Sequence, residues 1–135
     1  MFGGGNIGNR VLLVMKRKML ADALINQAAW DTRFELMAAQ NYATAALTAE
    51  LCLPQITVVE IPECGDWKPA ERCLGICDAI RGQFPNCKQV ILCNEDDVDS
   101  YNAVIHARQE NRIDDFVFYD SSLRYLFSKL DALIV

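Results

Sequence analysis

The chain has 135 residues, 52 % of them apolar and 23 % charged, with a formal net charge of −5. That length suits one domain, and that apolar share excludes an intrinsically disordered chain. The acidic balance argues against a protein built to grip nucleic acid, because the one basic run, Lys16-Arg17-Lys18, is short.

Residues 1–9, MFGGGNIGN, are glycine-rich and aperiodic. They read as a flexible lead-in to a single domain over residues 10–135. These glycines precede the first predicted strand, whereas a nucleotide-binding glycine loop follows one. Residues 11–15 form a continuous apolar run, as expected for a strand buried on both faces of a parallel sheet. Met19, Leu20, Ala23, Leu24 and Ala28 have helical spacing and predict a helix over 18–29. A second strand is predicted over 33–39. An alanine- and leucine-rich helix follows over 42–53, stopped by Pro54. Residues 56–61 are rich in β-branched side chains and predict a third strand.

Residues 62–69 read as a loop and 69–84 as a helix, broken at Pro85-Asn86. A fourth strand over 89–93, a polar loop over 94–97 and a helix over 98–111 follow. The fifth strand is predicted over 115–119. Ser121 or Ser122 caps a last helix to about residue 133, with Leu123, Leu126, Phe127, Leu130 and Ile134 on one face. Strands alternating with helices predict an α/β doubly wound parallel sheet with helices on both faces. The residues just beyond each strand's carboxyl end are then the candidate site.

No apolar stretch is long enough to span a membrane, and no signal peptide is apparent, so the expected location is cytoplasmic, with no membrane contact. Cys52, Cys64, Cys73, Cys77, Cys87 and Cys93 are expected to be reduced, buried small hydrophobes. No CxxC occurs and His106 is the one histidine, so no zinc site is expected.

The strand ends resemble those of a known family. RVLLVMKRKMLADAL resembles the opening of the receiver domain of bacterial response regulators, with Met15 and Lys16 where two acids are usual. PQITVVEIPECGDW resembles its third strand, with Glu60 at the phosphoacceptor aspartate and Gly65 at a loop glycine. KQVILCNEDD resembles its fourth strand, with Asn94 at the hydroxyl position. IDDFVFYDSS resembles its fifth, with Tyr119 and Asp120 replacing a lysine–proline pair and Phe116 keeping the aromatic switch position. The resemblance covers residues 10–133. It implies the flavodoxin-like, CheY-like strand order 2-1-3-4-5 and a degenerate phosphorylation site at Met15, Lys16, Glu60, Asn94 and Tyr119.

Aspartyl-phosphate chemistry needs Mg²⁺, and Mg²⁺ needs hard carboxylate ligands. Met15 offers none, and Lys16 brings a cation to the metal's place. Losing one preorganised electrostatic contact typically costs about 10²- to 10³-fold in rate. No catalytic residue, metal or cofactor is therefore expected. Glu60 has two readings: a fixed mimic of the phosphorylated acceptor, or the ion-pair partner of Lys16. The second is preferred, because a lone charge in a partly dry crevice is costly.

Asp96, Asp97 and Asp99 are expected to cap a helix rather than bind metal, and His106 to be solvated surface. Trp67 is expected either to seal the core or to anchor a partner. The resemblance implies an interaction surface over about residues 98–133, with Phe116, Tyr101 and Tyr125 as contacts; Tyr101 and Tyr125 also read as ordinary helix surface. The leading expectation is a non-enzymatic pseudo-receiver of two-component signalling, docking a protein partner or forming a homodimer. The runners-up are a small-molecule or anion-binding flavodoxin-like domain, and a residually phosphorylatable receiver.

Overall fold

A computed structural model describes residues 9–31, 34–39, 41–62, 69–119 and 121–134. The strands are β1 (Asn9–Val14), β2 (Phe34–Ala38), β3 (Ile56–Glu60), β4 (Lys88–Cys93) and β5 (Asp115–Phe118). The helices are α1 (Lys18–Asp31), α2 (Ala45–Cys52), α3 (Pro69–Gln83), α4 (Val98–Gln109) and α5 (Leu123–Ile134). The five strands form one parallel sheet in the order β2-β1-β3-β4-β5. This is the doubly wound parallel sheet that the alternation of apolar runs and helical patterns predicts, in the strand order that the family resemblance implies.

Alternation along the strands divides the core in two. Val11, Leu13, Val58, Val90 and Leu92 face α1 and α5, meeting Leu24, Leu126, Phe127 and Leu130. Leu12, Val14, Val59, Ile91 and Cys93 face α2, α3 and α4, meeting Ala45, Ala49, Leu74, Ile80 and Val104. Central strands covered on both faces are mostly apolar, as in β1 and β3, where Thr57 and Glu60 are the buried polar members. Cys73, Cys77, Cys87 and Cys93 are buried and unbridged, as expected, whereas Cys52, also unbridged, is only half-buried at the end of α2. Burial pushes the Cys77 thiol up and Cys93 up to about 12, so both stay protonated.

Element boundaries differ locally from the sequence pattern. Asn9, placed in the lead-in, already pairs with Phe34 in β1; the rest of that segment lies outside the described residues. The helix expected over 42–53 begins as a 3₁₀ turn, Tyr42–Thr44, because the Asn41 side chain caps it by accepting the Thr44 N–H at 3.0 Å. Leu53 ends α2 in the left-handed region (φ 52°), a position that glycine normally fills. β5 stops at Phe118, so Tyr119 is the first loop residue. Ser122 caps α5, its Oγ accepting the Tyr125 N–H at 3.1 Å. Among the described residues no helix is long and apolar enough to cross a membrane.

Candidate functional site

The carboxyl ends of β1, β3 and β5 converge on Glu60. Its side chain is wholly buried, a rare place for a carboxylate without partners. The partners come from the loop after β1. Oε1 accepts the Lys16 N–H at 2.7 Å and the Arg17 N–H at 3.0 Å. Oε2 lies 3.3 Å from Nε of Arg17, an ion pair without an aligned hydrogen bond. Two amides and a guanidinium together provide what a buried carboxylate requires.

This corrects the expected Lys16–Glu60 ion pair. Lys16 gives Glu60 only its backbone N–H, and its side chain is exposed. The cation that meets Glu60 is Arg17, which sequence reasoning passed over. When the chain leaves β1, the peptide units of Lys16 and Arg17 turn their N–H groups inward. The Arg17 guanidinium folds back over the site. A guanidinium suits the place better than an ammonium, because it is weakly hydrated and its planar face stacks on aromatic rings. Its central carbon lies 4.3 Å from the centroid of the Tyr119 ring. Tyr119 thus supplies the π face of a cation–π contact.

The backbone beneath the carboxylate is held as firmly. The Tyr42 hydroxyl donates to the Glu60 carbonyl at 2.6 Å, and the Cys73 thiol donates to the same oxygen at 3.4 Å. Burial, with the nearby Cys73 and Glu60, pushes the Tyr42 hydroxyl well above its usual range, which keeps it a neutral donor. The Tyr119 hydroxyl donates to the Ile61 carbonyl and ties the end of β5 to the end of β3.

The remaining sequence-predicted residues fall around this centre. Met15 is half-buried at the rim, beside Lys16. Asn94 follows β4, and its Oδ1 accepts the Asp96 N–H at 2.9 Å, turning the chain toward α4. Asp97 caps α4: its Oδ1 and Oδ2 accept from the Ser100 N–H and hydroxyl at 3.3 and 2.8 Å. The acidic loop is therefore a helix cap, and among the described residues no group of metal-binding side chains converges. His106 is exposed, 3.2 Å from Glu110 one turn along α4. Gly65, Trp67, Cys64 and Asp120 lie outside the described residues.

Phe116 and Tyr101 differ from a simple surface reading. Their rings are 6.3 Å apart, and each packs on Phe118, at 5.7 and 5.6 Å. Both are half-buried, so Tyr101 is a packing residue between α4 and β5 rather than free helix surface. Tyr125 on α5 is 48 % exposed, and the Lys129 ammonium sits 5.6 Å from its ring centroid.

Similarity to solved structures agrees with this architecture. A response regulator from Thermotoga maritima is 21 % identical, with a TM-score of 0.74 over 94 % of this chain and 98 % of its own. HP1043, an orphan response regulator of H. pylori, is 14 % identical, with a TM-score of 0.74 over 96 % and 98 %. A DNA-binding response regulator of the LuxR family from Staphylococcus aureus is 18 % identical, with a TM-score of 0.73 over 93 % and 98 %. At these identities the likeness is one of fold: the chain has the fold of response regulator receiver domains. No family model and no curated relative matches the chain.

Proposed function

We propose that the chain is a pseudo-receiver of two-component-type signalling, which acts by protein–protein interaction without aspartyl phosphorylation. One observation carries this reading: the carboxylate at the acceptor position is buried against Arg17, with its other oxygen closed by two backbone amides. Phosphotransfer needs an exposed acceptor oxygen, a dication beside it and a cation to receive the phosphoryl group. Here a protein guanidinium lies against the acceptor, and Met15 and Lys16 offer no carboxylate to a metal. The Arg17–Glu60 arrangement also holds the ends of β1, β3 and β5 in one state, independent of any phosphodonor. It deepens the ion-pair reading of Glu60 and changes the partner.

In this reading the domain has no enzymatic step of its own, works in the cytoplasm, and uses its α4–β5–α5 face to meet a signalling partner or a second copy. Tyr125 is the exposed aromatic of that face, and the Tyr101–Phe116–Phe118 packing gives it a firm base. Light scattering with and without acetyl phosphate and Mg²⁺ tests the reading. The expected oligomeric mass is the same in both. A donor-dependent change in assembly would overturn it.

A further inference from the structure

Among the described residues, helix α1 is covered on one side only. Ala21, Leu24 and Ala28 are buried in the core that α1 shares with α5. On the opposite side Met19, Ala23, Asn26 and Trp30 are all exposed, Met19 at 86 % and Trp30 at 88 %. At 3.6 residues per turn these four fall in one stripe about 60° wide. Their spacing of four, three and four is that of a coiled-coil seam, whose contact positions recur every 3.5 residues on average. A single exposed tryptophan is ordinary, but a tryptophan and a methionine at the two ends of such a seam, with a small residue between, form a surface shaped for another helix.

The stripe is also complementary to itself. When two copies of α1 pack antiparallel, Met19 of each copy meets Trp30 of the other, and Ala23 of each meets Asn26 of the other, about a two-fold axis. The short Ala23 side chains let the helix axes approach, and the methionine sulfur gains a favourable contact with the indole. Charge selects the same direction. Lys16 and Lys18 are exposed at the start of α1. Antiparallel packing keeps the two lysine pairs apart and sets Lys18 beside the last turn of the opposite helix, the negative end of its dipole. Parallel packing would stack the lysine pairs on each other. Asp22, which flanks the seam, comes beside Ala29 of the second copy and meets no like charge.

We propose that two copies of this chain associate through an antiparallel α1–α1 seam of Met19, Ala23, Asn26 and Trp30. The inference goes beyond the pseudo-receiver reading and leaves the α4–β5–α5 face to a different partner. Each tryptophan brings about 150–250 Å² to such a contact. Two tryptophans, two methionines and the small central residues approach about 1,000 Å² in total, the lower edge of specific interfaces. The dimer is therefore weak and reversible, and it forms as concentration rises.

Sedimentation equilibrium of the full chain, from micromolar to millimolar concentration, tests this. A monomer–dimer equilibrium is expected. Trp30→Ala and Met19→Ala are each expected to weaken it by about tenfold or more, since every substitution counts twice in the dimer. Both side chains are exposed, and an unchanged circular dichroism spectrum would show that the variants keep the fold. Ala23→Glu and Asn26→Lys should each weaken the dimer by bringing like charges to the two-fold axis. The double variant should restore it, because each glutamate then faces a lysine of the second copy, which only the antiparallel register allows. A monomer at every concentration, or a dimer that survives Trp30→Ala, would overturn the proposal. So would a double variant as weak as its parents, a dimer lost instead with Tyr125→Ala, or a monomer that binds phosphatidylglycerol vesicles through Trp30.

Discussion

Arg17 holds Glu60: its Nε lies 3.3 Å from Oε2 of a carboxylate that has no exposed surface. Around this pair the ends of three strands are joined, β1 through the Lys16 and Arg17 amides, β3 through Glu60 itself, and β5 through Tyr119.

The two neighbouring cations should behave differently when removed. Arg17→Ala leaves a buried carboxylate with two amides and no counter-charge. Arg17 is itself 44 % exposed, so the cost is smaller than for a wholly buried pair, about 1–3 kcal/mol. Lys16→Met keeps the backbone N–H and should change stability by less than about 0.5 kcal/mol. Urea denaturation of both variants checks this. A larger loss for Lys16→Met than for Arg17→Ala would reverse the assignment.

The end of α2 offers a stabilising substitution. Leu53 has φ 52° and an exposed side chain, so it bears left-handed strain with little packing in return. Leu53→Gly should raise stability by about 0.5–1 kcal/mol, because glycine adopts that conformation without a Cβ clash. A fall in the denaturation midpoint would mean that the Leu53 side chain packs more than its exposure implies.

Alkaline pH should weaken the fold through its thiols. Burial, followed by the nearby Asp97, pushes Cys93 from an ordinary value of 9.0 up to about 12. Burial raises Cys77 and Cys87 as well. With the folded values raised, the unfolded chain releases these protons first. Their contribution is intact below pH 9 and is lost as pH climbs from about 9 toward 12. Melting temperature measured under reducing conditions should therefore fall across that window, and Cys93→Ala should flatten the fall. A melting temperature independent of pH from 9 to 11 would contradict this.

Much of the fold was legible because its rules are local and repeated. The continuous apolar runs of β1, β3 and β4 mark strands buried on two faces, and Leu126, Phe127 and Leu130 mark the inner side of α5. The strand ends also located Glu60 and Tyr119, which do meet at one centre. The role of Arg17 was not legible. Lys16 and Arg17 are adjacent cations in a turn, and only the path of the backbone decides which side chain folds inward. The 3₁₀ start of α2 did have a signal, since asparagine three residues before threonine can cap the Thr44 amide. Tyr101, read either as a partner contact or as ordinary helix surface, is half-buried because Phe116 and Phe118 of the following strand pack on it, which helical spacing alone does not show.

On the proposed reading the Glu60 centre is closed to phosphotransfer. Intact-mass measurement after incubation with acetyl phosphate and Mg²⁺ tests it most directly. An unchanged mass is expected for the native chain. A mass gain of one phosphoryl group that is removed by mild base and lost in a Glu60→Gln variant would contradict it.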